Sequence, residues 1–190
     1  MLLYDRQRLK HDLVPHLADA ITIALQNPND YVEGKSTSPS KKLSAFVSYS
    51  HTDRACLDRM RVHLRPLEKQ GLLNAWSDTQ IKAGDKWREQ VEVALDAAAI
   101  AVLLISADFL ASDFIIDNEL PPLLAAAEKR GTRILPVILK PCRFIRDKHL
   151  SSFQALNAPE QPLLSLPEVE QEAVWDSLAR AIEIEIESRV

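Results

Sequence analysis

Apolar and polar positions along this chain fall into blocks whose period changes from strand-like to helix-like and back. The pivotal block is AIAVLLIS at positions 99–106, with no polar residue until Ser106. A strand covered by helices on both faces reads this way, because neither face meets water. ADFLASDF then brings in Asp108, Ser112 and Asp113 where strand should hand over to helix. LPPLLAAAEKRG predicts a helix that stops at Gly131, after Lys129 and Arg130. The same rhythm runs before it. LSAFVSYS predicts a first strand, RACLDRMRVHLRPLEKQ a helix with Asp53 available as its cap, and LNAW a short second strand. SDTQIKAGDKW is a polar loop around Gly84, WREQVEVALDAAA a helix, and TRILPVIL a fourth strand. The proline-rich stretch that follows is irregular, and a last helix carries Val174, Leu178, Ile182 and Ile186 on one face. Short strands separated by helices predict an α/β fold: a flavodoxin-like parallel sheet with helices on both faces.

The first forty residues follow a different pattern. Leu9, Leu13, Leu17, Ile21 and Leu25 recur four apart, which predicts amphipathic helix, and Pro15 interrupts it. NPNDYVEGKSTSPSKK is rich in turn-formers and reads as a linker. The expected organisation is a helical arm and linker over 1–40 and the main domain over 41–190.

Composition narrows the function classes. Apolar residues make up 46% of the 190, enough for a proper core, and the net charge of −4 gives no electrostatic case for nucleic acid. Cys56 and Cys142 match no metal spacing, so a reduced, cytoplasmic setting is expected and no metal site is. MLLYDRQRLK is charged too early to be a signal peptide, and no apolar run is long enough to span a bilayer. The four glycines are dispersed, which excludes the P-loop and the dinucleotide fingerprint. A serine hydrolase would need a Gly-x-Ser-x-Gly elbow, and none occurs. Ser50, His51 and Asp53 lie too close in sequence for a triad and read as loop and cap residues.

In an open α/β sheet ligands bind outside the carboxyl ends of the strands. That puts Tyr49, Ser50 and Asp53, after the first strand, and the stretch from Ser106 to Glu119, after the third, at one edge. Pro121 and Pro122 suit only the first turn of a helix, so Glu119 is expected at a helix N-terminus or at a break between two short helices. Free N–H groups there would favour an ionised carboxylate, whether it is a catalytic group or simply a first-turn charge. A phospho-acceptor receiver domain shares the expected fold and would explain Lys140. It needs paired acids after the first strand and an acceptor aspartate ending the third, where this chain has SYSHTD and Ser106.

FVSYSHTD, DTQIKAGDKWREQVEVAL, VLLISADFLASDFIIDNEL, RILPVILKPC and FQALNAP, in this order and spacing, resemble the Toll/interleukin-1 receptor (TIR) domain in its bacterial form. The resemblance covers the chain from about Leu43 onward. It implies a TIR fold and, for many such domains, hydrolysis of the nicotinamide–ribose bond of NAD, which is then the substrate, with no cofactor. The family's Ser-x-x-Trp-x-x-x-Glu arrangement falls on Ser112 and Glu119, with Ile115 in the tryptophan position. Glu119 is therefore the expected catalytic carboxylate. Trp87 or Trp76 could stack on a ring, and Lys82 or Arg54 could reach the pyrophosphate. As ordinary structure, the tryptophans would be core anchors and the cations solvated loop charges.

The resemblance further implies self-association, with the site completed across a subunit interface by the loop around Gln80 to Trp87. A defence or toxin effector, triggered by a sensor or activator protein, fits this picture. The competing reading is a non-catalytic TIR adaptor that acts only by binding other TIR domains.

Overall fold

In the computed structural model, which describes residues 42–80 and 86–189, four strands form one parallel sheet in the order β2-β1-β3-β4. They are β1 (Leu43–Tyr49), β2 (Leu73–Trp76), β3 (Ile100–Ile105) and β4 (Arg133–Ile138). Every residue of β3 is buried, as its unbroken apolar run requires. Pro136 sits within β4, which lies last in the order, where a missing N–H can face away from the ladder. The expected helical arm, the boundary near Ser40, Lys82 and Gly84 lie outside the described residues.

Strand alternation sorts the core into two faces. Ala45, Val47, Ile100, Val102, Leu104 and Val137 point to one side, and helices α1 (Arg54–Lys69) and α4 (Glu168–Ser188) cover them with Leu57, Met60, Leu64, Trp175, Leu178 and Ile182. Phe46, Ala101, Leu103, Ile105 and Ile138 point to the other, under α2 (Trp87–Ala97) and α3 (Leu120–Arg130). Helix α3 ends as its sequence suggests: Gly131 adopts a left-handed conformation with φ 67°.

The strand order reverses between β1 and β3, so their carboxyl ends border a crevice. Two structural departures from sequence expectation shape that edge. Asp53 makes no cap bond at α1. Glu119 does sit at the junction of two helical segments, as expected, but without free N–H groups: Ile115–Glu119 is a π-helical turn that runs directly into α3, and the Leu120 N–H bonds the Ile115 carbonyl. Leu120, although followed by proline, is helical at φ −64°, ψ −47°. Proline rings clash with the carbonyl four residues back, and the wider π turn relieves that clash without ending the helix.

Candidate active site

The site is built from β1 outward. Phe46 points to the face that α2 and α3 cover, and two-residue alternation sends Ser48 the same way, beneath the π turn. A buried hydroxyl needs a partner, and Ser48, 1% exposed, donates to Oε2 of Glu119. Glu119 itself is 9% exposed. Burial pushes its carboxyl up to about 7; the Ser48 hydrogen bond pulls it down, the Asp78 charge pushes it up, and His51 opposes that push. Expectation is corrected here. The carboxylate is not held ionised by helix N–H groups, and its proton is labile near neutrality.

Glu119 lines a pocket of about 490 Å³ together with Phe46, Val47, Tyr49, Ser50, His51, Asp78, Ser112, Phe114 and Ile115. Its apolar lining comes from Phe46, Val47, Phe114 and Ile115. At the mouth, Asp78 joins the ends of β1 and β2: it accepts from the Tyr49 hydroxyl at 2.9 Å and meets His51 Nε2 at 2.5 Å. Burial and the Asp78 charge push the Tyr49 hydroxyl up to about 12, so it remains a donor. Ser112 begins the helical stretch that leads to Glu119, and its hydroxyl accepts weakly from the Ile115 N–H at 3.4 Å.

Of the residues the sequence singled out, Tyr49, Ser50, Ser112 and Glu119 come together around this pocket. Asp53 and Trp76 do not line it. Asp53 is turned inward, where it accepts from the Ser106 hydroxyl at 2.6 Å and pairs with Lys140 at 2.6 Å. That linkage ties the loop after β1 to the ends of β3 and β4, and Lys140 meets Asp108 as well, at 3.3 Å. Trp76 stacks on Phe46 with ring centroids 5.2 Å apart, behind the pocket wall. Arg54 pairs with Asp58 one turn along α1. Trp87 opens α2, and its side chain, like Lys82, lies outside the described residues.

Sequence reasoning missed Ser48 and Asp78, and it read His51 as a loop or cap residue. A serine at an inward position of an apolar strand was the available signal for Ser48, and Ser44 shares that face. For Asp78 it was an acid directly after the second strand. Among the described residues lining the pocket none is lysine or arginine, and His51 is the one that can carry positive charge. Among the described residues no group of three or more His, Cys, Asp and Glu could hold a metal ion.

These features can be set beside known proteins. The chain is 31% identical over 131 residues to the uncharacterized protein y4lF of Sinorhizobium fredii (strain NBRC 101917 / NGR234), an alignment covering 67% of this chain and 39% of that protein. The chain thus spans about two-fifths of that relative. Among solved structures, the TIR domain of the Toll-related receptor TRR-2 from Hydra magnipapillata matches with a TM-score of 0.46 and 15% identity, covering 73% of this chain and 97% of that one. A family model described as the TIR domain matches residues 45–165, well over half of the sequence and all four strands but for the first two residues of β1. With that match and the parallel β2-β1-β3-β4 sheet, the chain belongs to the TIR domain family.

Proposed function

We propose that this TIR domain is an NAD glycohydrolase in which Glu119 meets the positive charge that develops on the ribose. The observation that carries the reading is a nearly buried carboxylate in the wall of a pocket at the carboxyl edge of the sheet. Burial of this carboxylate costs free energy that the single Ser48 donor only partly offsets, since its carboxyl is still pushed up to about 7, so selection for mere stability would replace it. A pyridinium ring supplies that cation. Its charge favours the ionised form of Glu119, so binding the substrate itself drives off the proton that burial retains.

Cleavage then needs little else. The bond between ribose C1′ and the pyridinium nitrogen breaks, and its electron pair returns to the ring, so nicotinamide leaves neutral and unprotonated. The ribosyl fragment acquires oxocarbenium character, and the Glu119 carboxylate stabilises it. Where water is the acceptor, it adds at C1′ and loses a proton, giving ADP-ribose. Tyr49, Ser50 and Ser112 offer hydroxyls to the ribose, and Phe114 and Ile115 offer an apolar surface to the nicotinamide. The described lining residues offer the pyrophosphate no lysine or arginine, although Arg54 acts on the Tyr49 hydroxyl beside the pocket. Lys82, in the loop between Gln80 and Trp87, fits the role of a further cation, on this chain or on a neighbour.

Cations from a neighbouring copy would link catalysis to self-association through TIR–TIR contacts; the cytoplasmic defence or toxin role, with a sensor or activator as trigger, is what the family resemblance adds. No helix among the described residues is long and apolar enough to cross a membrane. The test is to incubate the purified protein with NAD at high concentration and follow nicotinamide release. Release above the spontaneous rate supports the reading. Its absence in assembled protein would favour the non-catalytic adaptor.

A further inference from the structure

We propose that Ser48 is the positioning residue of this site: its hydroxyl, buried in β1, fixes the Glu119 carboxylate against the sheet and keeps it available as an anion. The inference rests on the reading of Glu119 as the reacting group. It starts from strand geometry. Ser48 pairs in register with Leu103 of β3, near the carboxyl end of β1, where its same-face neighbours Phe46 and Leu103 are apolar and buried. A hydroxyl is out of place there without a partner. The one it has is Oε2 of Glu119, 71 residues away along the chain.

The bond serves both groups. Ser48 satisfies its own buried donor, and Glu119 receives a donor that stabilises the charged form in a place where burial opposes it. Ser48 does not line the pocket, so it acts through Glu119 and not on the substrate. The π turn supports the same arrangement, because it aims Glu119 inward at β1 without interrupting the helix that carries it. The other titratable groups facing this carboxylate are Tyr49 and His51 at the end of β1 and Asp78 after β2. Of these, Asp78 disfavours the anion and His51 favours it. Neither is buried as Ser48 is, so solvent and salt screen them more strongly.

The experiment compares Ser48→Ala and Ser48→Thr with the parent, reading NAD turnover against pH and the Glu119 side-chain carboxyl titration by carbon-13 NMR. Without the donor, both the acidic limb of kcat/KM and the titration midpoint should move to higher pH, by about one pH unit. Turnover at pH 7 should fall several-fold and largely recover by pH 9, while Ser48→Thr, which keeps the hydroxyl, restores the parental profile. An unchanged midpoint in folded Ser48→Ala overturns the inference, as does a loss of rate that is equal at every pH. If Ser48→Ala does not fold, Ser48→Cys, a weaker donor of similar shape, should give the same displacement at smaller size, and an unchanged midpoint there is equally decisive. If the parent cleaves no NAD, the glycohydrolase reading fails, and the NMR midpoint still decides whether Ser48 governs this carboxylate.

Discussion

Glu119 is held in the folded chain at a cost that depends on pH. Its carboxyl is raised to about 7 from the ordinary glutamate value, chiefly by burial. The folded state therefore binds a proton that the unfolded state has already lost between those two values. Stability linked to this group is fully present below the unfolded value and declines as pH rises toward 7. Glu119→Gln removes the ionisable group and keeps a hydrogen-bonding amide in its place. It should thus be more stable than the parent at pH 8, by up to about 3 kcal/mol on the linkage arithmetic, and close to it at pH 5. Thermal melts of both proteins at the two pH values check this. A variant less stable than the parent at pH 8 would mean that the carboxylate is a structural asset. Stability gained at the expense of activity is the pattern expected of a functional charge.

At the scale of elements, much of the architecture could be read from the sequence. The apolar run of β3 and the Gly131 stop of α3 follow from period and backbone preference, which act over a few residues. Glu119's backbone setting could not be read in the same way. Pro121 and Pro122 signal a helix start by local rules, yet packing of Ile115, Leu120 and Leu123 against the sheet carries the helix through as a π turn. Asp53 was legible as a cap by its position, and its true partners, Ser106 and Lys140, are 53 and 87 residues away along the chain. Contacts of that range leave no local signature. The FQALNAP stretch, noticed through resemblance, has a physical role of its own at the open side of β4. The Asn157 amide donates to the Ile138 carbonyl at 3.0 Å and accepts from the Ile138 N–H at 2.9 Å, as a neighbouring strand would. Asn157→Ala should leave both Ile138 groups without these partners and cost about 1–3 kcal/mol, read as a fall in the urea midpoint. A midpoint within error of the parent would show that water replaces the amide without loss.

At the scale of the molecule, two features of the pocket belong together. It has a carboxylate suited to a cation, and no lysine or arginine among its described lining residues suited to a pyrophosphate. A dinucleotide therefore needs further contacts, from the same chain or from a neighbouring copy, and the second source is the one consistent with TIR self-association. Specific activity should rise with protein concentration, or with a crowding agent, until the assembled form dominates. A dilution series of nicotinamide release, run beside light scattering, checks this. Specific activity that stays flat while the assembly dissociates would place the whole site within one copy.

The central claim is that the buried carboxylate does chemistry. The direct measurement is nicotinamide release from NAD by Glu119→Gln and parent protein, at equal concentration, at pH 8, with folding verified on the same samples. Loss of a charge that acts on the transition state predicts a fall of about 100-fold or more. A folded Glu119→Gln protein that releases nicotinamide at the parental rate would contradict the account.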